Sequence, residues 1–178
     1  MYKFICFLLL IISVPVFSDQ PPGWGEFVVH SENMKWTAVV KRQGKSSKPW
    51  HDSWDLEVYE GFYYPGVYPD AKPHWSRSYT HSGYSGGILS NDGLAFSHVS
   101  FWYYADHSVV SIYRKNCTIH KPGSYFELVG SLEKTSSHEL WLKQGGSIHF
   151  SSTEDRLFLK LDTVQGPRMV AATCNSDD

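Results

Sequence analysis

The chain has 178 residues, with 18 acidic against 16 basic side chains and a formal charge of −2. That fits one domain, or at most two small ones, and lacks the basic surplus with which a nucleic-acid binder neutralises phosphates. Charged residues make up 19% and aromatics 16% of the chain, a composition that builds a core and argues against disorder.

Lys3 is followed by an apolar run from Phe4 to Val14, then Pro15, then Val16-Phe17-Ser18. A positive start, a short apolar stretch and small or aliphatic residues at a cut site are the layout of a secretory signal peptide. It is expected to span residues 1–18, with cleavage before Asp19 and a secreted or periplasmic product. The run is shorter than the about 20 residues of a membrane span, and Pro21-Pro22-Gly23 breaks the chain at once, so no transmembrane span is expected after cleavage. Residues 19–178 then form a single domain.

Period-2 alternation, the mark of half-buried strands, recurs along that domain. In 35–41, Trp36, Ala38 and Val40 share one face; in 55–60, Leu56 and Val58 point inward. Residues 61–87 show no convincing strand or helix, yet seven of the 27 are aromatic. Structureless loops beyond about 12–15 residues tend to be functional or disordered, and rings argue against disorder. The segment is therefore expected to be an ordered aromatic loop. It either presents Tyr63, Tyr64, Tyr68, Trp75, Tyr79 and Tyr84 as a binding surface or folds back to plug the sheet.

Further strands are expected within 94–103, 109–113, 139–142, 156–161 and 169–173, separated by the turn formers Asn91-Asp92-Gly93, Gln144-Gly145-Gly146 and Gln165-Gly166-Pro167. In Phe101-Trp102-Tyr103-Tyr104, rings alternate between faces, the pattern of a central, doubly covered strand, or, with one face open, of a sugar-stacking or protein-binding platform. One short helix is expected near 125–134, from Phe126, Val129 and Leu132 at i, i+3 and i+6. The fold class is all-β, an antiparallel meander of short strands.

Three stretches share an order of apolar residues, serine, polar turn and strand: 28–36, 87–96 and 148–157. Their serines, Ser31, Ser90 and Ser151, are 59 and 61 residues apart, a spacing that suggests repeated hairpins. Ile88-Leu89-Ser90-Asn91-Asp92-Gly93 resembles the Leu-Ser-x-Asp-Gly hairpin of β-propeller blades. Residues 135–142 resemble segments of bacterial secreted proteins that carry blade-like strands and have no assigned activity. The resemblance implies a blade-like antiparallel meander over about 86–173 and no particular chemistry. Three units fall short of the about four to eight blades that close a propeller, so a small sandwich or a curled sheet fits equally.

Two cysteines, Cys117 and Cys174, remain after export, where a disulfide can form and only one intramolecular pairing exists. Asn116-Cys117-Thr118 reads as a glycosylation sequon in a eukaryotic source. Gly83-Tyr84-Ser85-Gly86-Gly87 satisfies G-x-S-x-G, and a serine hydrolase would use Ser85 with base and orienter such as His138 and Asp162. The apolar strand before it and the helix after it are missing. Nine histidines show no metal-ligand spacing, and no glycine-rich loop runs from a strand into a helix. No metal or cofactor is expected. The leading expectation is a non-enzymatic binding protein that meets a protein partner, in an inhibitor or immunity role, through the 61–87 loop. A carbohydrate-binding module, a small hydrolase using Ser85 and a structural envelope protein are the alternatives.

Overall fold

The computed structural model describes residues 23–130, 132–135, 138–153 and 156–174; the expected leader, residues 1–18, lies outside them. Strands dominate, in four antiparallel sheets, none closed into a barrel. The first sheet is a meander of β1 (Phe27–His30), β2 (Trp36–Arg42), β3 (Trp54–Glu60) and β4 (Trp75–Tyr79). The second repeats that layout with β5 (Ile88–Leu89), β6 (Ala95–Val99), β7 (Ser108–Arg114) and β8 (Thr118–Pro122). A two-stranded ribbon of β9 (Glu133–Lys134) and β10 (Glu139–Leu140) leads to a three-stranded meander of β11 (Ile148–Thr153), β12 (Arg156–Thr163) and β13 (Gly166–Ala171).

Alternation makes the second sheet the middle layer. Leu89, Phe96 and Tyr113 point to the first sheet and share a core with Ala38, Val40, Leu56, Val58 and Trp75. Ala95, Val110, Ile112 and Ile119 point the other way and meet Leu159, Leu161 and Val170 of the last sheet, with Trp141. Each face of a strand is spaced at two residues, so one strand such as β6 supplies both cores. A disulfide joins Cys117, between β7 and β8, to Cys174, with a Cα–Cα distance of 6.0 Å, and Arg114 Nη1 donates to the Ala172 carbonyl at 2.6 Å. Both contacts tie the end of the chain to the middle sheet.

Three expectations are corrected. The 61–87 segment is not strand-free, because 75–79 forms β4 against β3. The 125–134 helix does not form. A 3-10 turn occupies Gly123–Phe126, Glu127 then takes a left-handed φ of 49° and Gly130 a φ of 75°, so helical hydrogen bonding cannot continue. Residues 101–104 make only an isolated bridge, Trp102 to Leu140; Trp102 is buried while Phe101 and Tyr104 are exposed.

The repeated hairpins are real in two of three copies. In the first, Ser31 N–H donates to the Trp36 carbonyl (3.0 Å) and its Oγ accepts from Trp36 N–H (3.0 Å) while donating to Asn33 (2.8 Å). In the second, Ser90 does the same with Ala95 (2.9 and 2.9 Å) and Asp92 (2.6 Å). The third hairpin turns differently. Thr153 pairs with Arg156 and Ser151 sits inside the ladder opposite Phe158; residues 154–155 lie outside those described.

Candidate functional site: an aromatic ridge on the first sheet

The chain leaves β3 at Gly61, whose φ of 78° turns it back over the sheet. A fully buried hydroxyl, that of Thr37 in β2, holds the turn: it donates to the Gly61 carbonyl at 2.7 Å and accepts from Tyr63 N–H at 3.1 Å. His30 Nδ1 lies 3.1 Å from the same oxygen. With that hydroxyl proton committed to Gly61, Nδ1 is the donor. The loop rings are thereby sorted. Tyr63 goes inward and stacks on Tyr59, centroids 3.8 Å apart and planes 6° apart. Phe62 goes outward and stacks on His30 at 4.5 Å and 9°.

Below the stacked tyrosines lies a polar knot. Lys41 Nζ pairs with Glu57 at 2.5 Å, Tyr59 OH donates to the Glu57 carboxylate, and Lys41 donates to Tyr59 OH at 3.3 Å. Burial, then the Glu57 carboxylate and the Tyr63 hydroxyl beside it, push the Tyr59 phenol well above the ordinary tyrosine range. Tyr59 therefore stays a neutral donor, and the knot fixes the floor on which Tyr63 rests.

Two tight turns follow, closed by Val67 N–H to the Tyr64 carbonyl and Ala71 N–H to the Tyr68 carbonyl, both 3.2 Å. His74 N–H then returns the chain to Val58 at 2.7 Å. The result is a ridge of Phe62 (54% exposed), Tyr64 (52%), Val67 (62%) and Tyr68 (51%). Beside it lies a cleft of about 390 Å³ between Phe62, Tyr63 and Tyr68, edged by Glu60, Lys72 and His74.

The structure divides the five tyrosines and one tryptophan nominated from sequence. Tyr64 and Tyr68 are on the ridge, and Tyr84 is half-buried in the connector after β4. Tyr63 is interred as the ridge's anchor. Trp75 is buried with its Nε1–H on the Gly93 carbonyl at 2.7 Å, and Tyr79 is buried against Phe27, Phe96 and Tyr113. Trp75 and Tyr79 offer no face to a partner, because alternation in β4 turns them into the core between sheets. Sequence reasoning passed over Phe62, Val67 and His30; a count of rings in the loop contains Phe62 but nothing local marks its pairing with His30.

Ser85, His138 and Asp162 are not assembled. Ser85 sits exposed in the connector beside Gly25, His138 is stacked on the Trp102 indole at 4.6 Å, and Asp162 in β12 is held by the Ser147 amide and hydroxyl at 3.0 and 3.2 Å. Those bonds keep the Asp162 carboxyl below the usual carboxylate range. The G-x-S-x-G segment runs from β4 to β5 without the strand, turn and helix of a nucleophile elbow. A serine does meet a histidine elsewhere, Ser111 Oγ and His120 Nδ1 at 2.9 Å, but that chain of hydroxyls ends through Ser108 on the Val110 carbonyl. Among the described residues it carries no carboxylate to orient the ring. Among the described residues no three metal-ligating side chains gather, and no helix is long and apolar enough to cross a membrane.

No protein-family model matches the chain, and neither a curated protein nor a solved structure matches it.

Proposed function

We propose that the protein is exported and acts without catalysis, recognising a protein partner through the ridge of Phe62, Tyr64, Val67 and Tyr68. The observation that carries this reading is the sorting of one loop's rings. Tyr63 is locked on Tyr59 from below, while its neighbours are held outward on a backbone fixed by Thr37. Large side chains held rigid before contact lose little entropy on binding, and aromatic anchors dominate the energetics of many interfaces. Exposed Val67 and Phe62 bring apolar surface with no hydroxyl, which suits a protein more than a sugar ring. Capture of a partner, as an inhibitor or immunity protein does, needs only such a surface. The Cys117–Cys174 disulfide supports export to an oxidising compartment.

The test is affinity isolation from native secretions or periplasm with the wild-type chain and with Tyr64→Ala/Tyr68→Ala. A saturable protein partner lost in the double variant, at unchanged melting temperature, supports the reading. Binding to a glycan array in place of a protein would make the ridge a carbohydrate platform. A lowered melting temperature with unaltered binding would make it a structural plug.

A further inference from the structure

The face of β4 that meets the second sheet reads Trp75, Arg77, Tyr79. A guanidinium therefore stands in a row whose other members are buried rings. Arg77 crosses from the edge strand of the first sheet to that of the second. Its Nε donates to Thr118 Oγ1 at 2.7 Å and its Nη1 to the Lys115 carbonyl at 3.4 Å. Both acceptors are neutral. Among the described residues neither Arg77 nor Lys121 has a carboxylate partner.

The two edges enclose a groove of about 400 Å³, lined by Arg77, Asn116, Thr118, His120 and Lys121 over a floor of Cys117 and Ile119. Every lining side chain is neutral or basic, on a chain whose net charge is −2. His120 is exposed there and held by Ser111 at Nδ1, and Lys121 Nζ sits 4.5 Å over the Tyr125 ring.

A half-buried guanidinium without a counter-charge is costly, and such groups are normally paired. Here it is also oriented. Two hydrogen bonds fix the plane of Arg77, leaving Nη2 without an acceptor among the described residues, and a planar fork of this kind matches an oxyanion's geometry. We propose that the groove between β4 and β8 binds an oxyanion, the phosphate or carboxylate of an acidic ligand, with Arg77 as the fork and the Thr118 hydroxyl and His120 ring, on the same face of β8, beside it. The site is separate from the aromatic ridge, which lies on the opposite face of the first sheet, and does not depend on it.

Inorganic phosphate and glucuronate are the probes, with glucose as the uncharged control. Each is titrated into isotopically labelled protein while amide shifts and the Arg77 Nε–H resonance are followed. Shifts centred on Arg77 and residues 116–121 are expected. They should weaken at about 0.3 M salt, where the screening length is well under about 10 Å. Arg77→Gln should weaken binding by about tenfold or more, the scale of a lost charge-assisted contact. Because Arg77→Gln also removes the tie to Thr118, His120→Ala is measured beside it; it keeps that tie and should weaken binding as well. Saturation by phosphate alone or by glucuronate alone supports the site and names the source of the oxyanion. Absence of shifts with both probes, equal shifts with glucose, or affinities unchanged in both variants would overturn it, leaving Arg77 as a bridge between sheet edges.

Discussion

Asn33 and Asn91 clasp the tips of two hairpins together. Asn33 N–H donates to Asn91 Oδ1 and Asn33 Nδ2 donates to the Asn91 carbonyl, both at 2.9 Å. The two turns are built alike and lie 58 residues apart in sequence. The clasp joins the first sheet to the second at the end remote from the β4–β8 groove in chain order.

That clasp makes the second turn intolerant of side chains. Gly93 has a φ of 71°, and a Cβ there would come within 2.1 Å of the Trp36 ring. Gly93→Ala should cost about 2–4 kcal/mol, combining left-handed strain with overpacking. Asn33→Ala keeps the backbone N–H bond of the clasp but removes the Nδ2 bond to Asn91 and the bonds that Oδ1 accepts from the Ser31 hydroxyl and Lys35 N–H; at a partly solvated tip it should cost about 1–2 kcal/mol. Urea denaturation of both variants checks the order; equal losses would show that the tips are not in contact.

The disulfide closes the chain between positions separated by 57 residues. In the chain-entropy treatment such a loop contributes about 4 kcal/mol through the unfolded state. Cys117→Ser/Cys174→Ser should therefore lower the unfolding free energy by about that amount. A loss under about 1 kcal/mol would show that the link adds nothing beyond the Arg114 tie.

Acid should loosen the joint between the first two sheets. His81 is buried among Trp24, Phe27, Trp54 and Tyr79. Its Nδ1 accepts from Gly83 N–H at 2.9 Å and its Nε2–H donates to the Gly25 carbonyl at 3.1 Å. A second proton on Nδ1 would face a donor. Burial, opposed in part by the Gly25 bond, lowers the His81 pKa. Burial, opposed by the Gly86 carbonyl and assisted by His81, lowers that of His98, whose Nε2 is buried without a hydrogen-bond partner among the described residues. Since the unfolded chain takes up these protons first, stability is complete above about pH 6.5 and falls as pH drops through the lowered values. The nearby Tyr79 and Tyr113 phenols, raised by burial, stay neutral throughout. The urea midpoint should fall between pH 7.5 and 5, and less so in His81→Gln/His98→Gln; an equal fall in both proteins would assign the effect elsewhere.

Much of the frame was legible because alternation survives in it: Ala38 and Val40, Leu56 and Val58, Leu159 and Leu161 are all buried as their spacing implies. Strand β4 was hidden by Arg77, whose charge breaks an inward row that burial between two sheets nonetheless accommodates. The helix expected near 125–134 had the right spacing but the wrong backbone. Phe126 and Leu132 do enter the core, while Val129 between them is 77% exposed, so no single apolar stripe exists. Composition found the aromatic loop but could not sort its rings, because the hydroxyl that sorts them, Thr37, lies 26 residues before Tyr63.

Photo-crosslinking tests recognition through the ridge most directly. A benzophenone amino acid replaces Tyr64 in the protein within its native medium, and a control carries it at Thr153, an exposed position on the last sheet. A discrete protein adduct is expected at 64 and not at 153, suppressed by excess wild-type chain but not by excess Tyr68→Ala. No adduct at 64, or suppression by both competitors alike, would contradict a partner-binding ridge.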